Sequence, residues 1–291
     1  MRVVIVTRIP QVLEGFDAVV RGTGHEPVAF LTMRNADGRY GPPAHTGDLV
    51  LAAGADLDVL LPTRRSTIAP LLASMHPDLV VCMGFPWKIP PDALAVPRLG
   101  WLNAHPSLLP RHRGPLPVAW AIREGDDEVG ITFHLMDAEL DTGPILSQRP
   151  FPLGELEPPE VFYDRFGQVI GEALAEALEQ LAAGDEGTPQ GEGGTYESFF
   201  TEEDAWLDLS RPAAEVHRLV WAWLYAFTPT GTRGALLELD DEPVRVVATS
   251  PTEVEGARTV ECGDGPLWVV ETEELSEEEA SSTSVRAPST R

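Results

Sequence analysis

Short apolar runs alternate with amphipathic segments along the first half of the chain. The intervening segments repeat apolar residues three and four positions apart, which predicts helices at Val12 to Arg21 and Arg65 to Met75. Strands that alternate with helices favour a mostly parallel sheet. We therefore predict an α/β domain whose first strands are Arg2 to Thr7, Pro27 to Met33, Asp58 to Pro62 and Asp78 to Phe85.

The second half changes character after a long amphipathic segment. We predict a helix near Val118 to Glu124, a strand at Gly130 to Asp137 and a long helix at Pro158 to Gly184, followed by a Gly-rich and acidic linker near 185–200. A helix at Ser210 to Phe227, with Ser210 as its N-cap, then precedes three short strands. The predicted units are 1–190, a small module at 204–272, and a disordered acidic tail at 273–291.

Hydropathy and cysteine usage narrow the class of protein. No run approaches 18 to 20 apolar residues, and the start MRVVIVTRIP lacks the pattern of a signal peptide. We therefore predict a cytoplasmic protein that does not bind membranes. Cys82 and Cys262 have no metal-ligand spacing, so we predict no metal site.

The charge balance bears on possible partners. The chain has 21 basic and 46 acidic residues, a net charge of −25, and Lys88 is its only lysine. Affinity for nucleic acid depends largely on basic side chains that contact phosphates. The composition therefore argues against RNA as a partner.

Two polar clusters follow predicted strands. GWLNAHP places Asn103 and His105 at the end of one strand, and HLMDAELDTGP places Asp137 and Asp141 just beyond another. The ends of strands in an α/β sheet are the usual place for ligands, so we expect these side chains to converge. An amide, an imidazole and a carboxylate together suit acyl chemistry, because they can stabilise an oxyanion and move a proton.

Each of these residues also has a structural interpretation. Asn103 could cap a turn, His105 could be a hydrogen-bonded core histidine, and Asp141 could be an ordinary turn residue. His134 alternates within its strand and is interpreted as structural. No nucleophile motif such as G-x-S-x-G is present, and TRIPQVLEG lacks the glycines of a dinucleotide site.

The segment NAHPSLLPRHRG, followed by HLMDAELDTGPIL, resembles the paired signature of the 10-formyltetrahydrofolate-dependent formyltransferases. The resemblance spans roughly Met1 to Gly184. DAWLDLSRPAAEVHRLVWAW resembles the start of the C-terminal domain of methionyl-tRNA formyltransferases. It implies a Rossmann-like, mostly parallel sheet of the formyltransferase fold with a small C-terminal OB-like β-barrel domain.

The resemblance also implies roles for individual residues. Asn103 and a protonated His105 would stabilise the oxyanion of a tetrahedral intermediate formed when an amine attacks the formyl carbon of 10-formyltetrahydrofolate, and Asp141 would favour the charged imidazole. The loop after His105 resembles the acceptor-side loop of the family, which implies substrate contacts from Ser107, Arg111 and Arg113. Contacts with the folate cofactor are implied for Phe85, Trp87, Lys88, Ile89, Ala138, Glu139 and Leu140.

The departures from the family suggest an acceptor. The region RNADGRYGPPAHTG has only Arg34 and Arg39, and Phe199 and Phe200 stand where the family usually has Pro-Lys. We therefore expect a small-molecule amine, such as an amino sugar, an amino acid or a hydroxylamine, as the substrate, and we expect tRNA not to be a partner. The alternatives are a methionyl-tRNA formyltransferase, a hydrolase that releases formate from the same cofactor, and a ligand-sensing role for the C-terminal module.

Overall fold

The computed structural model describes residues 1–33, 46–54, 56–226, 234–276 and 279. A 3-10 turn at Arg65–Thr67 precedes α3. The described helices are α1 (Pro10–Gly22), α2 (Thr46–Ala52), α3 (Ile68–Met75), α4 (Pro91–Leu94), α5 (Pro117–Glu124), α6 (Pro159–Ala182), α7 (Glu202–Ala205) and α8 (Ala213–Tyr225). The strands are β1 (Arg2–Thr7), β2 (Glu26–Leu31), β3 (Asp58–Leu60), β4 (Leu79–Met83), β5 (Trp101–His105), β6 (Glu128–Leu135), β7 (Ile145–Pro152), β8 (Ala235–Leu239), β9 (Glu242–Ser250), β10 (Arg258–Cys262) and β11 (Gly265–Glu274).

A seven-stranded sheet with the order β3-β2-β1-β4-β5-β6-β7 forms the centre of the N-terminal part. β1 to β5 pair in parallel, and β6 and β7 are antiparallel to their neighbours. Alternate residues of β1 enter different cores, since Val3 and Ile5 pack with α1 and α6 while Val4 and Val6 pack with α3 and α4. This two-sided burial explains why β1 is a continuous apolar run.

A separate antiparallel sheet of four strands, with the order β10-β11-β9-β8, forms the C-terminal module. α8 packs against this sheet and also against α5 of the N-terminal part. The predicted fold class, an α/β formyltransferase fold with a small barrel-like C-terminal module, is confirmed. The unit boundaries 1–190 and 204–272 remain a prediction.

Several sequence-based boundaries differ from the structure. β7 and β10 were not predicted as strands, and α8 begins at Ala213 rather than at Ser210. The Ser210 hydroxyl donates to Asp208, and the first free amide of α8, that of Ala213, donates to Asp264 at 2.7 Å. The cap therefore comes from a residue distant in sequence, which a local pattern does not reveal.

The segment predicted to be a linker is bound to the N-terminal part. Thr188 forms a bridge with Ile145, and Tyr196 forms one with Arg113. β11 continues to Glu274, which is two residues into the predicted tail. Residues 277–278 and 280–291 of that tail, like Arg34 and Arg39, lie outside the described residues. Within the described ranges, no helix combines the length and apolarity needed to span a bilayer.

An aromatic cluster joins the two parts of the chain. The ring of Phe200, which is 1% exposed, lies 5.1 Å from the ring of Trp120 on α5 and 5.1 Å from that of Trp223 on α8. Arg123 stacks on Trp120 and donates to Asp204 at 2.6 Å. Phe200, one of the two residues that replace the Pro-Lys of the family, thus fills the core between α5 and α8.

We predict that Phe200→Ala lowers the free energy of unfolding by about 3 to 5 kcal/mol, because it leaves a cavity between two tryptophans. Urea unfolding followed by tryptophan fluorescence measures the loss. Leu51→Ala is the control, since Leu51 is 79% exposed and its truncation should cost well under ~1 kcal/mol. A Phe200→Ala cost as small as that of the control would show that this cluster does not hold the two parts together.

Candidate active site

Asn103 and His105 lie on β5, and the neighbouring strand β6 adds a third polar side chain. The register of β5 and β6 pairs Asn103 with His134. Because β6 runs antiparallel to β5, its last residue, Leu135, lies level with Leu102 and not beyond His105. The two clusters therefore follow opposite ends of paired strands, so the side chains that we expect to converge do not meet through the strand ends themselves. Asp141 instead reaches the pair on the connection between β6 and β7, residues 136–144.

That connection has a tightly specified conformation. The carboxylate of Asp137 accepts hydrogen bonds from the backbone of Glu139 at 2.9 Å and from the hydroxyl of Thr142 at 2.8 Å. A Cβ atom on Gly143 would lie 1.8 Å from a backbone oxygen of β6, so only glycine fits there. Asp141 itself has a φ of 57°, a left-handed conformation that aspartate tolerates better than most residues. These constraints turn the Asp141 side chain towards β5.

The carboxylate of Asp141 is the centre of the cluster. Its Oδ1 lies 3.6 Å from His105 Nδ1 and 3.6 Å from His134 Nε2, and it accepts from Asn103 Nδ2 at 3.4 Å. Its Oδ2 accepts from the backbone N–H of Gly114 at 3.0 Å. Asn103 Nδ2 also donates to His134 Nε2 at 3.2 Å. The three side chains of the predicted trio are therefore brought together, with His134 as a fourth member.

The cluster favours a carboxylate at Asp141. Burial by itself favours the neutral acid, but His105, His134 and the Gly114 N–H outweigh it and lower the pKa of Asp141 to about 2. Burial also lowers the pKa of His105, against the attraction of Asp141. A neutral His105 attracts the carboxylate less than a charged one would. The lowered pKa of His105 therefore weakens one of the causes that lower the pKa of Asp141. The donors on Gly114 and Asn103 remain in either case, so Asp141 is ionised.

The imidazole of His105 is held in one tautomer. It is 5% exposed, and its Nε2 lies 2.7 Å from the carbonyl oxygen of His112, which can only accept. Nε2 therefore carries the proton, and the Nδ1 lone pair of the neutral ring faces Asp141. The resemblance implies a protonated His105, whereas burial lowers the pKa of His105 and so favours the neutral ring, which can accept a proton at Nδ1.

The residues predicted to contact folate lie on two neighbouring loops. Phe85 and Trp87 meet edge to face at 5.7 Å and are partly exposed beside the core, while Leu140 is 47% exposed. Lys88 Nζ lies 3.9 Å from Glu139 Oε2, which brings the two loops together. Partly exposed aromatic side chains next to a cation suit a planar, anionic cofactor such as a folate. The set comprises Phe85, Trp87, Lys88 and Ile89 on one loop and Ala138, Glu139 and Leu140 on the other.

The three residues predicted to bind the acceptor occupy different positions. Ser107 is 2% exposed and its hydroxyl donates to the carbonyl of Arg111 at 2.7 Å, so it stabilises the loop from inside. Arg111 binds Asp126 at 2.8 Å and lines a cavity of about 570 Å³ away from the Asp141 cluster. Arg113 lies nearer to Asp141, since its guanidinium and the carbonyl of Asp141 bind the same side chain, that of Gln190.

His134 and Gln190 are the members of the site that we did not predict from the sequence. An antiparallel partner for β5 would have suggested His134, because cross-strand neighbours of a functional residue share its face. Gln190 lies in a Gly-rich acidic segment whose local pattern indicates only a loop. Its position is visible only in the folded chain.

Solved structures with the same fold support the topology. HypX from Aquifex aeolicus, in complex with tetrahydrofolic acid, matches 96% of this chain and 45% of its own, with a TM-score of 0.65 and 20% identity. A sugar N-formyltransferase from a Shewanella species matches 88% of this chain and 99% of its own, with a TM-score of 0.64 and 20% identity. At these identities the likeness concerns the fold.

Sequence comparison is more specific. Residues 61–178 match the Formyl transferase family model. Methionyl-tRNA formyltransferase from Pelobacter propionicus is 36% identical over 232 residues, which is 76% of this chain and 72% of that protein. The same enzyme from Pseudomonas fluorescens is 36% identical over 71% of this chain and 64% of its own length, so part of each relative has no counterpart in the match. The chain belongs to the formyltransferase family.

Proposed function

We propose that this protein transfers a formyl group from 10-formyltetrahydrofolate to the amino group of methionyl-tRNA. The observation that carries the proposal is 36% identity to a methionyl-tRNA formyltransferase over 76% of the chain. The converging Asn103, His105 and Asp141 side chains supply the groups that acyl transfer to an amine requires.

The prediction of a small-molecule amine as the acceptor, with tRNA excluded, is wrong. Relatives that are 33 to 36% identical over most of the chain are methionyl-tRNA formyltransferases. The likeness to sugar N-formyltransferase structures is at 20% identity or below and concerns the fold. The error came from the net charge, which sums over the whole molecule and does not describe the field at one edge of the sheet.

Local charges at the reacting edge are compatible with RNA. The loops after β1, β3 and β5 leave the same edge of the sheet, and they carry Arg8, Arg64, Arg65 and Arg113. None of the four forms an ion pair with another described residue, and a buried Nη atom of Arg8 has no hydrogen-bond partner among those residues. Arginines without carboxylate partners are available for phosphates.

The chain can hold the formyl donor at the same edge. The partly exposed Phe85 and Trp87 would contact the planar pterin, and Lys88 would lie near the anionic part of a folate. When bound, 10-formyltetrahydrofolate supplies an activated formyl group. The role of the chain is to place an amine beside that group and to handle the proton that the amine loses.

The proton is handled by His105 and Asp141. The Nδ1 lone pair of neutral His105 would take the proton of the attacking amine, and the Asp141 carboxylate would stabilise the imidazolium that forms. His105 would then return this proton to the nitrogen of tetrahydrofolate that leaves as its bond to the formyl carbon breaks. One N–H of Asn103 donates to Asp141 over a long distance of 3.4 Å. Because this hydrogen bond is weak, the same N–H is available to the negative charge that develops on the formyl oxygen. His134 accepts the other N–H of Asn103 and fixes the amide.

The assay that tests the proposal incubates the full chain with 10-formyltetrahydrofolate and methionyl initiator tRNA, and detects N-formylmethionine by mass spectrometry. Formation of N-formylmethionine, together with tetrahydrofolate in equal amount, supports the proposal. Formate release at the same rate with and without tRNA would contradict it in favour of the hydrolase alternative.

We predict that Asp141→Asn lowers kcat by about 10² to 10⁴-fold, because it removes the charge that stabilises the His105 imidazolium. Steady-state release of tetrahydrofolate measures the loss. Asp17→Asn on α1 is the control, because the ion pair that Asp17 forms among the described residues is with the exposed Arg21 of the same helix. An Asp141→Asn enzyme with kcat within about threefold of the Asp17→Asn enzyme would remove Asp141 from the mechanism.

We predict that kcat stays high as the pH falls past about 6.5, the ordinary pKa of histidine. His105 acts in its neutral form and its pKa is lowered, so activity is lost only when the pH falls through that lower value. Burial lowers the pKa of His105 most, the charge of Asp141 and the hydrogen bond to the His112 carbonyl raise it, and the rings of His134 and His112 lower it. The acidic limb of the pH profile should therefore move to still lower pH in Asp141→Asn. A limb at or above the ordinary histidine pKa would contradict the assignment of His105 as a neutral base.

We predict that the double variant Arg64→Ala/Arg65→Ala binds tRNA more weakly and lowers the slope of log affinity against log salt by about one for each phosphate that it no longer binds. Filter binding at a series of salt concentrations measures both quantities. Arg21→Ala/Arg98→Ala changes the net charge equally, but its arginines pair with Asp17 and Asp78. Equal effects of the two double variants would show that overall charge, and not the reacting edge, determines binding.

A further inference from the structure

The connection between the two parts of the chain is built onto the Asp141 loop. We call residues 185–197 the connecting segment. Thr188 exchanges two backbone hydrogen bonds of 2.8 Å with Ile145, at the end of the Asp141 loop. Farther along, Thr195 and Glu197 bond the backbone of Arg113, and Thr195 Oγ1 accepts from the N–H of His112 at 2.9 Å. The connecting segment therefore touches the loops on both sides of the site.

Gln190 lies between these two anchor points and binds both loops through one amide. Its Nε2 donates to the carbonyl oxygens of Asp141 at 2.8 Å and of Gly143 at 2.9 Å. Its Oε1 accepts from Arg113 Nη2 at 2.7 Å. Two donors and one acceptor are used at once, and among the natural side chains of this length only glutamine offers both.

We propose that Gln190 is a positioning residue that holds the main chain of Asp141, so that its carboxylate faces His105, and that couples this loop to Arg113. This inference rests on the proposed function. A left-handed backbone and a mostly buried charge are both unfavourable for Asp141 by themselves. Without support, the loop would relax and turn the carboxylate towards water. The neutral amide also leaves the charge of Arg113 uncompensated, which keeps Arg113 available to an anionic acceptor.

Two substitutions separate the two halves of this role. Gln190→Glu keeps an oxygen for Arg113 but places a second oxygen against the carbonyls of Asp141 and Gly143. Gln190→Met keeps the length and removes both functions. If Gln190 positions Asp141, both variants should lower kcat by about 10² fold, the usual cost of misplacing a catalytic group by 1 Å, while KM for the donor changes little.

Gln11→Glu on the exposed face of α1 is the control for the added charge and should behave as the unsubstituted protein. Formyl transfer is measured at a temperature where urea titration shows every variant to be folded, so loss of fold cannot lower kcat. A Gln190→Glu enzyme with kcat within about twofold of Gln11→Glu overturns the inference. That result combined with a slow Gln190→Met enzyme would show that Gln190 serves Arg113 alone.

A second measurement does not depend on the acceptor. The titration of His105 is followed by NMR of ring carbons, with the resonance assigned by its loss in His105→Gln. Among the described groups around His105, Asp141 is the one whose charge raises the pKa of His105. Gln190→Met should therefore move the titration to lower pH as Asp141 moves away. An unmoved titration overturns the inference. If the unsubstituted chain transfers no formyl group to tRNA, the proposed function fails, and the titration still decides the role of Gln190.

Discussion

The mostly buried carboxylate of Asp141, whose side chain is 14% exposed, is the group on which the arrangement of the site depends. A buried charge costs several kcal/mol unless donors surround it, so its position is determined by where those donors are. The donors come from β5, through Asn103, and from the loop that follows β5, through Gly114. Asp141 thereby joins two loops that are distant in sequence, and its Oδ1 lies 3.6 Å from Nδ1 of His105.

The change of strand direction in the sheet makes this possible. α5 lies between β5 and β6 in the chain, and β6 then runs antiparallel to β5, which places His134 directly beside Asn103. The short connection from β6 to β7 can then return across the same site and present Asp141. The Asn103 amide is therefore held by a histidine on one side and by a carboxylate on the other.

Local patterns in the sequence were sufficient for the architecture and for the first members of the site. The alternation of Val3 and Ile5 with Val4 and Val6 follows from burial on both faces of a strand, and the two motifs located Asn103, His105 and Asp141. His134 and Gln190 could not be predicted in this way, because their roles depend on strand register and on contacts between distant segments. The acceptor was wrongly predicted for a related reason, since net charge carries no information about position.

The connecting segment links the C-terminal module to the loops of the candidate site. It binds the Asp141 loop through Thr188 and Gln190, and the chain then continues directly to Phe200 in the core between α5 and α8. α5 itself follows the loop that carries Gly114 and Arg113. A displacement of α8 relative to α5 would therefore pull on both loops of the site at once. An acceptor large enough to contact both parts of the chain could use this connection to hold the reacting groups in register, which a small amine confined to the N-terminal part could not do.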